Sequence, residues 1–164
     1  MSHSIAGARG VVKDRDGVLR RAQAWASARD SEVLLADASV VFGRDHLESA
    51  VLHAERARDA QMMATRSLAM EALLYLAGQR QVADAIQTSG IKDDTTTVAV
   101  ITFGAAPVDE LLSLLGWSRD DAILEAKGKN LDGIGISRTE RSTVPEERVV
   151  DLALEHTALV DVLK

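Results

Sequence analysis

Apolar positions along this chain change their period repeatedly, and each change predicts an element. Residues 5–12 read as a strand, with Gly7 and Gly10 weakening it or marking a bulge. Val18, Ala22, Trp25 and Ala26 recur at helical spacing and predict a helix over residues 17–29. Residues 32–42, rich in Val and Leu, read as a strand interrupted by Asp37. Asp45 then offers an N-cap with Glu48 three positions later, and Leu47, Ala50, Val51 and Ala54 form one apolar face.

Helix signals are densest in the middle. Thr65 can cap a helix carrying Leu68, Ala72, Leu73 and Leu76, and Gly78 suits its end. A second helix is predicted over residues 79–89, with Val82, Ala85 and Ile86 turned inward and Gly90 closing it. Residues 97–103 are a β-branched strand. Pro107 suits a first helical position before Val108, Leu111, Leu112 and Leu115, and Ser118 and Asp121 can cap another short helix. A turn is predicted to lead into a short strand over residues 134–137. Thr143 and Pro145 open a last helix bearing Val149, Leu152 and Ala153, and residues 158–163 read as a closing strand. With two prolines, no Ser/Gly-rich run and no internal repeat, the expected fold is a single α/β domain, a mixed β-sheet with helices packed on it.

Composition narrows the function classes. A length of 164 residues and a hydrophobic fraction of 46% suffice for a real core. The balance of 19 basic against 25 acidic side chains excludes a uniformly basic nucleic-acid footprint, but leaves room for a local patch. Cysteine is absent, which removes thiolate nucleophiles, zinc–sulfur sites and disulfides and fits a reducing, cytoplasmic setting. The N-terminus has no basic segment leading into an apolar run, and every apolar stretch is interrupted well short of the roughly 20 residues a membrane span needs. No membrane association is expected. Aromatics make up only 3%, so any RNA recognition must lean on Arg, amides and backbone.

Catalytic chemistry is hard to find. His46 and His53 share a helix face two turns apart, roughly 10 Å, too far to ligate one metal ion together. With His3 and His156 they read as surface histidines, and no metal or cofactor is expected. Gly128, Gly133 and Gly135 superficially suggest a phosphate loop, but the Gly-Lys-Ser/Thr ending of such loops is missing. The acidic pairs Asp93-Asp94, Asp120-Asp121 and Glu146-Glu147 lie where capping and helix dipoles explain them. The expectation is a protein without a catalytic site. Its rival is a small nucleotide-using transferase built on the Gly128–Gly135 segment with Lys127 or Lys129.

The segment from Ser67 to Val82 stands out because its apolar helix gives way at once to a short polar run. Gln79, Arg80 and Gln81 are expected to open the next helix, where free N–H groups favour an anion and Arg80 adds a planar cation. Arg56, Arg58, Arg66 and Lys92 are near in sequence. Equally, Arg80 and the two glutamines can simply tie the helix pair together, with Glu71 or Asp84 holding Arg80.

The residues Asp45 to Ala54, Ser67 to Val82, Ala85-Ile86 and Gly90-Ile91-Lys92 resemble, in order, the small KEOPS-complex subunit family that includes the PRPK-binding protein. Ser67, Met70, Glu71, Tyr75, Gly78, Arg80 and Gln81 stand at its hallmark positions. Gly135-Ile136-Ser137 and the segment Leu154 to Val162 are similar too. Val82 replaces a usual Ile, and His156 stands where an Arg is common. The preference for Arg over Lys and the many Ala residues look archaeal or GC-rich. The resemblance implies no activity of the chain's own, docking on the kinase-like ATPase of KEOPS, and binding of tRNA, including its 3′ CCA end, in support of threonylcarbamoyladenosine synthesis. The expected RNA-binding residues are then Arg66, Gln79, Arg80, Gln81, Ile86, Gly90, Ile91 and Lys92. The expected docking surface is the apolar closing segment, represented by Val149, Leu152 and Leu159.

Overall fold

The structure, a computed structural model, describes residues 2–163. Strands β1 (His3–Arg9), β2 (Glu32–Asp37), β3 (Thr97–Phe103) and β4 (Ser118–Arg119) form one sheet in the order β2-β3-β1-β4, and neighbouring strands run antiparallel. The helices are α1 (Arg15–Ser27), α2 (Arg44–Asp59), α3 (Leu68–Ala77), α4 (Val82–Ser89), α5 (Val108–Leu115), α6 (Arg138–Arg141) and α7 (Val149–Leu163). The α/β architecture is as expected.

Both faces of the sheet are covered, which explains why β3 is an almost unbroken apolar run. Successive side chains point to opposite faces, so Ala99, Ile101 and Phe103 join Ile5 and Leu34 under α2, α3 and α7. Val98 and Val100 join Ala6, Ala8 and Leu35 on the other face, against Trp25 of α1 and Leu111 of α5. A third, smaller core lies beside these two. There Val40, Phe42, Leu131, Ile134 and Ile136 pack against Val149, Leu152 and Ala153 of α7.

Several local expectations are corrected. Residues 158–163 are helix, because Val149, Leu152, Ala153, Thr157 and Val160 keep one buried stripe at helical spacing to the end of α7. Residues 134–137 are not a strand. A 3-10 turn, Leu131–Ile134, and Gly135 with φ of 81° drop Ile136 into the third core instead. Strand β2 ends at Asp37, whose carboxylate accepts from the Ser39 N–H and turns the chain into a 3-10 turn. Gly43 rather than Asp45 precedes α2, Ser67 rather than Thr65 caps α3, and α4 begins at Val82 rather than Gln79. Ser118 lies in β4, and it is Asp120 that caps the next 3-10 turn.

His46 is not a surface residue. It is fully buried in the first turn of α2, where Nδ1 accepts from the Phe42 N–H at 3.1 Å and Nε2 donates to the Leu76 carbonyl at 3.0 Å. Burial pushes its pKa down to about 4, opposed by the Leu76 carbonyl and helped by nearby Lys129. The neutral ring therefore ties the start of α2 to the end of α3.

Candidate functional site

The segment from Ser67 to Gln81 folds into a succession of anchors. The Ser67 hydroxyl accepts from the Met70 N–H and donates to Glu32 at 2.6 Å, fixing the start of α3 to the end of the sheet. Glu71 is fully buried, and its carboxylate accepts from the Ala64 and Thr65 N–H groups and from the Thr65 hydroxyl at 3.0–3.2 Å. It thereby sets the path of the α2–α3 loop. Tyr75, one turn further on, donates its phenol O–H to Asp161 of α7 at 2.5 Å, and its ring stacks on His53 of α2. Burial and the Asp161 carboxylate raise the phenol above its ordinary pKa, so it remains a donor at neutral pH. Gly78 then ends α3 with φ of 65°, a left-handed turn that directs residues 79–81 across the helix end.

Those anchors frame a cleft of about 720 Å³. Arg56, Ala57 and Ala60 from the end of α2 form one wall. Met62, Met63 and Ala64 of the loop form a second, and Arg80 and Gln81 a third, while Tyr75, Asp161 and Leu163 close it. The lining thus combines two guanidinium groups, apolar side chains and a carboxylate. This can hold a flat apolar ring with an anionic group attached, since Arg offers both a planar stacking face and forked donors. Arg80 already uses Nη1 to donate to the Leu163 carbonyl at 3.1 Å. Among the described residues there is no group of three or more His, Asp or Glu placed to hold a metal.

The residues expected to bind RNA divide into two places. Arg80 and Gln81 line the cleft, and Gln79 lies half-buried in the same α3–α4 link. Arg66 is exposed on the adjoining loop without lining the cleft. Ile86 is not inward: with Val82 it lies 37% exposed on the outer face of α4, and neither lines the cleft. At the other end of α4, roughly 12 Å away at 1.5 Å per residue, the remaining three do something else. Ile91 is buried in the core under α1, so it cannot act as a wall for a ligand. Gly90 is buried in a bridge to Ala36, where a Cβ would lie 2.7 Å from the Ile86 carbonyl. Lys92 lies beside Asp14, Asp16 and Asp93 and donates to the Gly90 carbonyl.

Val149 and Leu152, expected to dock a partner, are core residues. Of the three, only Leu159 is exposed, beside Val162 and Leu163 near the end of α7. The glycine-rich segment 128–135 is tied into the domain by its own contacts. The Lys129 ammonium donates to the Val41 and Ile123 carbonyls at 2.7 and 2.6 Å, and a Cβ on Gly133 would meet Val40 at 2.6 Å. Partial burial lowers the Lys129 pKa to about 8, against the pull of Asp37 and Glu125. The lysine staples this segment to the domain rather than facing a phosphate. No helix among the described residues is long and apolar enough to cross a membrane.

Met62, Met63 and Asp161 carry no signal of their own in the sequence, because separate elements bring them together. Arg56 does carry one, as a cation near Arg80 against an acidic background.

The chain is similar to the EKC/KEOPS complex subunit CGI121 of Yarrowia lipolytica, 29% identical over 83 residues, which are 51% of this chain and 49% of that protein. The subunits of the same name from Coccidioides immitis and Aspergillus fumigatus are 29% and 30% identical over 87 residues, 53% of this chain and 42% and 46% of theirs. The match therefore spans about half the length of these curated relatives. A family model described as "Kinase binding protein CGI-121" matches residues 12–152, from just after the first strand into α7. That span takes in the cleft's Arg56 to Gln81 and most of the domain, and the chain belongs to the CGI-121 family of kinase-binding proteins.

Proposed function

We propose that this chain is a non-catalytic KEOPS subunit that docks on the complex's kinase-like ATPase and binds tRNA, including the 3′ CCA end, in support of threonylcarbamoyladenosine synthesis. The observation that carries the RNA part is the cleft itself. Arg56 and Arg80 both line it, together with the apolar side chains of Ala57, Ala60, Met62 and Met63. Single-stranded RNA ends offer unstacked bases joined to phosphates, which match a lining of apolar side chains and guanidinium groups. Methionine here takes the place of the aromatic platforms the composition lacks, since its flexible, polarizable thioether moulds to a ring face. The kinase-like partner is supported by the family description and by the names of the relatives. Leu159 and Val162 on the outer face of α7 are the apolar side chains best placed to meet it.

Fluorescence anisotropy with a tRNA, intact and with its CCA removed, tests the RNA part. Tight binding that depends on the CCA is expected, and Arg80→Ala should weaken it by about 1–3 kcal/mol without lowering the melting temperature. Equal binding of intact and trimmed tRNA, with Arg80→Ala indistinguishable from wild type, would remove the cleft as the RNA site.

A further inference from the structure

The last turn of α7 enters the same cleft. Val160 is the last described residue of that helix to reach the core, and the side chains of residues 161–163 are exposed, Val162 at 77%. Polar ties hold the turn in place. The Tyr75 phenol donates to Asp161 Oδ1 at 2.5 Å, His53 Nδ1 bonds Asp161 Oδ2 at 2.7 Å, and Arg80 donates to the Leu163 carbonyl at 3.1 Å. The chemistry of these ties matters. A carboxylate and a carbonyl at the negative end of a helix are held by a guanidinium, a phenol and an imidazole. A phosphate would seek the same guanidinium.

Resting on the RNA reading of the cleft, we propose that residues 161–163 are a built-in competitor for the Arg80 guanidinium, and that an RNA phosphate takes the Arg80 Nη1 donor only by displacing this turn. While the turn is seated, Nη1 is engaged by the Leu163 carbonyl and Asp161 sets a negative charge beside any incoming phosphate. Residues 161–163 send no apolar side chain into the core, so releasing the turn exposes no core surface. The apparent affinity for RNA is then the intrinsic affinity scaled by the fraction of molecules with the turn released. The turn sets a threshold: weakly held anions fail to open the cleft, while a longer RNA end with additional contacts succeeds.

Tyr75→Phe tests this without changing any charge. The Tyr75 ring is fully buried, so the substitution removes the phenol tie and leaves the exposed walls of the cleft as they are. Anisotropy with the same CCA-bearing tRNA should show binding tightened about tenfold or more, the effect of losing one hydrogen bond to a charged group from the closed state. Hydrogen exchange on the wild-type protein supplies the second measurement and does not depend on the variant folding. Adding the tRNA should speed exchange at the amides of residues 161–163. Slower or unchanged exchange there, or weaker or unchanged binding by a folded Tyr75→Phe protein, overturns the competition and leaves the turn as a passive wall. If the tRNA binds neither protein, the RNA reading falls and the competition falls with it.

Discussion

Mild acid should destabilise this protein through His46 more than through any surface histidine. In the folded state its pKa is held at about 4 against an ordinary 6.5, chiefly by burial. The unfolded chain thus binds a proton between those two values that the folded chain refuses. Stability rises with pH wherever the unfolded state binds more protons, so the His46 contribution is fully present above pH 6.5 and is lost as pH falls towards 4. By about pH 5 the loss reaches about 2 kcal/mol, and the full span is worth about 3 kcal/mol. The assay is urea unfolding from pH 8 to pH 4.5 on the wild type and on His46→Gln, which keeps polar atoms at the site but does not titrate. Subtracting the two stabilities removes the carboxylates and the three other histidines from the comparison. The difference should shrink by about 2 kcal/mol between about pH 8 and pH 5. Parallel curves, with a constant difference over that range, would refute the argument and mean that the buried ring accepts a proton without penalty.

Lys129→Met should destabilise the domain by about 1–3 kcal/mol, because the Val41 and Ile123 carbonyls lose their donor, and calorimetry with ATP on the wild type should register no binding. Leu152→Ala should cost about 2–5 kcal/mol as a core truncation, whereas Leu159→Asp should leave the melting temperature nearly unchanged and reduce capture of the kinase-like partner in a pull-down. Binding of tRNA should weaken with salt only gently. Two phosphates met by Arg56 and Arg80 give a log–log slope of about −1.4 to −1.8, and a much steeper slope would point to a different, more basic surface.

How far the sequence discloses this molecule depends on whether a residue's role is decided locally. Strand β3 and helix α3 are legible because period and flanking residues agree, and Gly78 marks the turn that its left-handed φ requires. The closing segment misleads, since Ala158 to Leu163 is a short apolar run that strand and helix share. What decides it is the continuity of a stripe begun at Val149. The group of residues expected to bind RNA is brought together only in part, for the same reason. Arg80 and Gln81 line the cleft. Ile86 and Ile91 exchange places, the first outward and the second in the core, because α4 starts later than the glutamines suggest and ends against β2. His46 and Lys129 are illegible alone, for their partners are carbonyls that only the fold brings to them.

The register of the sheet also dictates an order of events at synthesis. His3 pairs with Phe103 and Glu32 with the same residue from the other side, so β3 bridges two strands made long before it. At roughly 5–20 residues per second, a ribosome takes about 5–20 s to reach β3 after β1 has been made. During that interval the apolar positions of β1 and β2 have no sheet to enter, and α1 and α2 have no completed surface to cover. The nascent chain spends this window with its future core exposed, and it closes both faces of the sheet in one late, long-range step once β3 becomes available.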